Sequence, residues 1–149
     1  MNWLSWNVRG YSKDGFLISA LFLNIRTLSL DLFCILVTKI DADSASNLST
    51  KLPFDKFECI FSVGQSGGIL LCWFSDKLNV NVLFKHDRYL HCLITDLISQ
   101  KNFYVTFLYM YAHKNQQLAL WNDLNNLRPS NDEPWSLVGD FNCILTLYI

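Results

Sequence analysis

Two residues near the end of the chain are spaced for joint chemistry. Asp140 and Asn142 stand two apart, behind Gly139 and on either side of Phe141. In an extended segment alternate side chains share a side, so one carboxylate and one amide would reach the same ligand. The same four residues can equally form a turn in which both side chains cap backbone amides. Asn7 ends an alternating stretch just before Arg9 and Gly10, where its amide can serve a ligand or be satisfied by the adjoining turn. Tyr109 and Tyr111 fall on one side of a strand by alternation and offer hydroxyls to an anion or to the rim of a core. His86, His91 and His113 are scattered and share no motif, so they read as surface or hydrogen-bonded strand histidines.

The elements that would carry these groups follow from periodicity. Leu4, Trp6 and Val8 alternate with Trp3, Ser5 and Asn7, the period of a half-buried strand that delivers Asn7 to its end. From about Lys13 to Leu30, Phe16, Leu17, Ala20, Leu21, Ile25 and Leu28 recur at helical spacing. The unbroken apolar run Leu32 to Val37 fits a strand buried on both faces. Ala42 to Leu52 is a weaker helix. Phe57 to Val63 and Ile69 to Phe74 are β-rich runs joined by the Gly-bearing segment Gly64 to Gly68, which reads as a hairpin. Val80 to Lys85, Leu90 to Ile98 and Phe103 to Tyr111 continue it as an antiparallel meander. Gln116 to Leu127 is helical, with Leu120, Leu124 and Leu127 on one side and Trp121 beside them. Trp135 to Val138 is a short strand with Gly139 to Asn142 at its carboxyl end, where α/β folds place functional loops. Helix followed by buried strand points to α/β layering, within one domain spanning residues 1–149.

Composition narrows the function. Half the residues are apolar, with five Trp and eleven Phe, so a packed core is expected rather than disorder. Apolar runs such as Ile69 to Phe74 fall far short of the roughly 20 residues that span a bilayer. Met1 to Gly10 has no basic and apolar leader pattern, so an intracellular protein is expected. The five cysteines are widely spaced without a C-x-x-C pair and read as small buried hydrophobes, not as disulfides or a zinc site. A net charge of −1 is poor equipment for holding a polyanion, so nucleic-acid binding needs a local patch or a bound cation.

The order of local motifs carries a family resemblance. Leu4 to Gly10 reads L-S-W-N-V-R-G; Thr38 and Lys39 follow a buried strand; Ser66, Gly67 and Gly68 sit in a hairpin. Tyr111 and Ala112 come next, then Gly139, Asp140, Phe141 and Asn142. Together they resemble the endonuclease/exonuclease/phosphatase superfamily, and are most similar to the plant LINE-type retrotransposon endonuclease domains, up to about Leu145. The resemblance implies a DNase I-like, two-sheet β-sandwich flanked by helices and hydrolysis of DNA phosphodiesters assisted by Mg²⁺ or Mn²⁺. It implies that Asn7 helps form the metal site and that Asp140 orients or deprotonates the attacking water. Asn142 would donate to the scissile phosphate, and Tyr111 would contact it.

Two departures qualify that inheritance. The family's metal-binding glutamate precedes the Thr-Lys pair, and here that position is Val37, which has no oxygen to offer. The sequence ends at Ile149, whereas the family continues into a second half with a Ser-Asp-His string and its catalytic histidine. The expectation is a partial, truncated sandwich: a decayed, catalytically inactive copy in which metal and DNA binding are weak or lost. An uncovered sheet would favour self-association. The alternatives are a working phosphodiesterase completed by another chain, and a non-catalytic interaction module.

Overall fold

The computed structural model describes residues 1–8, 15–37, 41–64, 67–130 and 132–143. Four layers are stacked in it. The first sheet has the order β1-β2-β4-β3 and the second β5-β6-β7-β8. These are β1 (Trp3–Val8), β2 (Leu32–Val37), β3 (Lys56–Ile60), β4 (Ile69–Trp73), β5 (Leu78–His86), β6 (Tyr89–Asp96), β7 (Lys101–Tyr109) and β8 (Trp135–Asp140). Helices α1 (Gly15–Leu28) and α2 (Ala42–Lys51) cover the first sheet, and α3 (Lys114–Asn125) covers part of the second. This is the flanked two-sheet sandwich that the motifs implied.

Period-two alternation explains how one strand serves two cores. In β2, Phe33 and Ile35 pack toward α1 and α2, while Leu32, Cys34 and Leu36 enter the layer between the sheets. Both faces of β2 are therefore dry, and its sequence is an unbroken apolar run. Ile69, Leu71 and Trp73 of β4 meet Leu90, Cys92, Ile94, Val105 and Phe107 across the same layer. In β1, Leu4, Trp6 and Val8 join the helix side, which leaves Trp3 against the inter-sheet core and Asn7 exposed at the strand end.

Local chemistry sets the helix ends. α1 stops in a left-handed residue, Ser29 (φ +48°), with the Leu30 amide donating to Ile25 and the Ser29 amide to Arg26. That closure buries Leu30 and leaves Leu28, assigned to the core face by periodicity, 46% exposed. Asp41 caps α2, its Oδ1 accepting from the Ser44 amide at 2.7 Å.

The meander differs from its sequence reading in one respect. β3 and β4 pair antiparallel in the first sheet, but a tight turn at Phe74–Leu78 moves the chain into the second, where β5, β6 and β7 form the meander. Two parallel pairs flank this arrangement: β1 with β2 through α1, and β7 with β8 through α3. The carboxyl ends of β1 and β8 face each other across the layers.

Candidate functional site

A hollow of about 940 Å³ opens between those two strand ends, lined by Trp3, Ser5, Asn7, Leu36, Asp140 and Asn142 among others. Asn7 Nδ2 donates to Asp140 Oδ2 at 2.5 Å, a hydrogen bond that ties one sheet to the other across 133 positions of sequence. The other carboxylate oxygen, Asp140 Oδ1, accepts from the Asn142 backbone amide at 2.9 Å. The structure thus brings Asn7, Asp140 and Asn142 together.

The segment is not extended where the same-side argument needed it to be. Asn142 sits at φ +46°, and its Nδ2 donates to the carbonyl of buried Met110 at 2.6 Å. The turn reading holds for Asp140, which caps an amide; Asn142 satisfies a carbonyl instead. Phe141 stacks on Trp121 of α3, with ring centroids 6.0 Å apart. Gln117 Nε2 of the same helix donates to the carbonyls of Tyr111 (2.7 Å) and Asn142 (3.3 Å), fastening the loops after β7 and β8 together.

Gly139 has a structural reason to be glycine. Its φ is +146°, and a Cβ there would lie 1.9 Å from the Leu108 carbonyl oxygen of β7. The close approach of β7 to β8 therefore sets where Asp140 emerges.

Tyr111 is placed elsewhere. The Arg88 guanidinium lies over its ring at 4.1 Å and over Tyr109 at 5.9 Å, so the two tyrosines do share a side, but Tyr111 lines a second hollow of about 190 Å³ with His86, Gln116 and Asp123. Tyr109, not Tyr111, is in register with Asp140. Arg88 is itself buried, and one of its nitrogens is 3.5 Å from where a Gly67 Cβ would be. Sequence reading passed over Arg88, Gln117 and the reason for Gly139. A lone arginine in the β5–β6 turn and a glutamine in the first turn of a helix give no periodic or motif signal.

His91 is buried, with Nδ1 2.8 Å from Thr106 Oγ1, which also accepts from Trp135 Nε1 at 2.9 Å. Burial holds its pKa below the ordinary histidine value. His86 Nδ1 accepts from the Arg88 amide, and its ring stacks on Tyr89. His113 precedes α3 without a side-chain cap. His86 and His91 thus serve structural contacts, while His113 is exposed.

Val37 is the last residue of β2, in register with Val8 and one step past the Asn7–Leu36 pair. The motif residues Arg9, Gly10, Thr38, Lys39 and Ser66 lie outside the described residues, as does Leu145. A hard divalent cation asks for anionic oxygens with free lone pairs. Among the described residues lining the cleft, Asp140 supplies one carboxylate, and each of its oxygens already accepts a hydrogen bond. No group of three His, Cys, Asp or Glu side chains suited to a metal occurs among the described residues. Besides Asp140, the described lining offers a cation only amide, hydroxyl and backbone oxygens.

Comparison with solved structures places the fold. An endonuclease/exonuclease/phosphatase family protein from Bacteroides thetaiotaomicron superposes with a TM-score of 0.67 at 13% identity, over 94% of this chain and 62% of that one. The human Nocturnin catalytic domain, with bound sulfate, gives 0.61 at 16%, over 93% and 63%. D. rerio TDP2, complexed with a single-strand DNA product, gives 0.67 at 16%, over 95% and 60%. The chain has the DNase I-like fold of endonuclease/exonuclease/phosphatase proteins, and it spans less than two thirds of the length of each of these three. No family model and no curated protein sequence matches it. No helix among the described residues is long and apolar enough to cross a membrane.

Proposed function

We propose that this chain is a catalytically inactive relative of the metal-dependent DNA endonucleases carried by plant LINE-type retrotransposons. The observation that carries the proposal is the cleft between β1 and β8. Asn7 and Asp140 still meet there, while the neighbouring strand end carries Val37 where a carboxylate would anchor the cation. The S-W-N-x-R-G opening and the G-D-F-N string support the retrotransposon ancestry. Loss of a metal-borne interaction of several kcal/mol would slow phosphodiester hydrolysis by orders of magnitude. DNA is the ancestral partner, and with a net charge of −1 its binding here is weak.

The test is nicking of supercoiled plasmid in Mg²⁺ and in Mn²⁺ by the purified chain, by Val37→Glu and by Asp140→Ala. The proposal expects no nicking by the parent. Metal-dependent nicking that appears with Val37→Glu locates the defect at that strand end. Nicking by the parent that disappears in Asp140→Ala would mean a working site and sink the inactive reading. A phosphodiesterase completed by a second chain is the other reading, favoured by the persistence of the Asn7–Asp140 pair, and it predicts cleavage only in the presence of that chain.

A further inference from the structure

A further hollow, of about 500 Å³, lies at the other end of the sandwich from the cleft, between the first residues of β3 and β5 and the last of β4. The chain forms it where it changes sheets. β4 ends at Trp73, the Lys77 and Leu78 amides donate to the Phe74 carbonyl at 3.1 and 3.0 Å, and β5 departs into the second sheet. Lys56, in register with Trp73, begins β3 on the far side of β4 from β2. Stacked sheets stand about 10 Å apart, so the space between these strand starts is a slot that admits a flat ring system. Its volume falls within the roughly 300–1,000 Å³ of small-molecule sites.

The lining is amphipathic. Trp73, Leu78, Val80 and Leu97 supply apolar walls, Lys56, Ser75 and Asn79 are the polar members, and no carboxylate is among them. Period two puts Lys56, Glu58 and Ile60 on one face of β3, and Ile60 belongs to the core between the sheets. Lys56 and Glu58 therefore face that layer at its margin. Glu58 is answered there by Lys85 of β5 at 2.5 Å, whereas Lys56 has no ion pair among the described residues. The acids of this end are engaged elsewhere: Asp55 accepts from the Ser75 amide and hydroxyl, Asp31 from Lys77, and Asp96 from the Ile98 and Ser99 amides. Trp73 is 9% exposed, and its indole N–H has no acceptor among the described residues, although a buried Trp ordinarily finds one.

We propose that this slot binds a small aromatic carboxylate. Its ring system lies between Trp73, Leu78, Val80 and Leu97, and its carboxylate accepts from the Lys56 ammonium. Partners in an antiparallel ladder share a face with their Cβ atoms about 5 Å apart, so Lys56 and Trp73 stand side by side and the same carboxylate can take up the indole N–H. One positive charge, two N–H donors and no acid select a monoanion over a neutral or cationic ring. The slot is remote from Asn7 and Asp140, so its occupancy does not depend on whether the cleft cuts DNA.

The experiment is titration of the isotope-labelled chain with naphthalene-2-carboxylate and, separately, with its uncharged counterpart naphthalene-2-methanol, followed by amide nuclear magnetic resonance. Saturable shifts from the carboxylate, concentrated at the amides of Ser75, Asn79, Val80 and Leu97, are expected, with the alcohol binding about fivefold or more weaker. Lys56→Gln should weaken the carboxylate by a similar factor and leave the alcohol unchanged, while Leu97→Ser should weaken both. Both substitutions fall on exposed residues, and retained dispersion of the spectra checks that the variants fold. Shifts absent from those four amides, equal affinity for carboxylate and alcohol, or binding of the carboxylate indifferent to Lys56→Gln each overturns the proposal.

Discussion

Replacing Gly139 by alanine tests the account of how the site is positioned. The added methyl would start 1.9 Å from the Leu108 carbonyl oxygen, so β8 must retreat by roughly 1 Å to reach even a tight contact. The adjoining ladder bond from the Met110 amide to the Asp140 carbonyl is 2.8 Å long, and that retreat takes it out of hydrogen-bonding range. Two ladder bonds at about 1 kcal/mol each, and ~1–2 kcal/mol for an L-residue at positive φ, sum to roughly 3–5 kcal/mol with the lost packing. That is a large share of the ~5–15 kcal/mol available to a single domain. Guanidinium unfolding followed by Trp fluorescence measures it. Gly64→Ala is the control, because Gly64 has φ +65° but nothing within 4 Å of its Cβ, so only backbone strain of about 1 kcal/mol is expected there. A Gly139→Ala chain within about 0.5 kcal/mol of the parent would refute the close-approach argument.

Further outcomes follow from the same contacts. Asn142→Ala leaves the carbonyl of buried Met110 without its side-chain donor and should cost about 1–3 kcal/mol by the same unfolding assay; a neutral result would show that the turn after β8 is held by Phe141 and Gln117 alone. His91 has a folded-state pKa depressed by burial, so the unfolded chain takes up a proton that the folded chain resists. Its contribution is complete above about pH 6.5 and is lost as pH falls below that value. Unfolding midpoints should drop on acidification in the parent and drop less in His91→Gln; parallel curves for the two would remove His91 as the cause. Asp55 and Asp96, held below the usual carboxylate range by hydrogen bonds from Ser75 and from the Ser99 and Ile98 amides, act only at still lower pH. Thiol reactivity should follow burial: Cys143 is exposed, while burial pushes the Cys59 thiol up to about 11, Cys72 and Cys92 up to about 12, and Cys34 higher still. Pulse alkylation with mass mapping should therefore label Cys143 first; early labelling of Cys34 would contradict the inter-sheet core.

Much of the architecture was written in the sequence because period and burial are local signals. The alternation of Trp3 to Val8 and the apolar run Leu32 to Val37 gave both strands with their observed bounds. The helical spacing over Lys13 to Leu30 gave α1, although its last apolar residue, Leu28, is exposed because a left-handed closure at Ser29 hands its place to Leu30. The motif order pointed to the flanked sandwich and singled out Asn7, Asp140 and Asn142, which do converge. Tertiary structure decided the rest, since it depends on pairings between distant segments. The chain changes sheet after β4, which no periodicity encodes, because strands on either side of a tight turn look alike whether they pair or part. Asn142 leaves the extended path to satisfy Met110, a residue 32 positions away. Tyr111 lies against Arg88 and away from the cleft because β7 has ended before it, and Gly139 is required by a carbonyl on a neighbouring strand. Sequence determined which residues prefer to be buried and at what period; only the assembled sheets determined which polar groups meet.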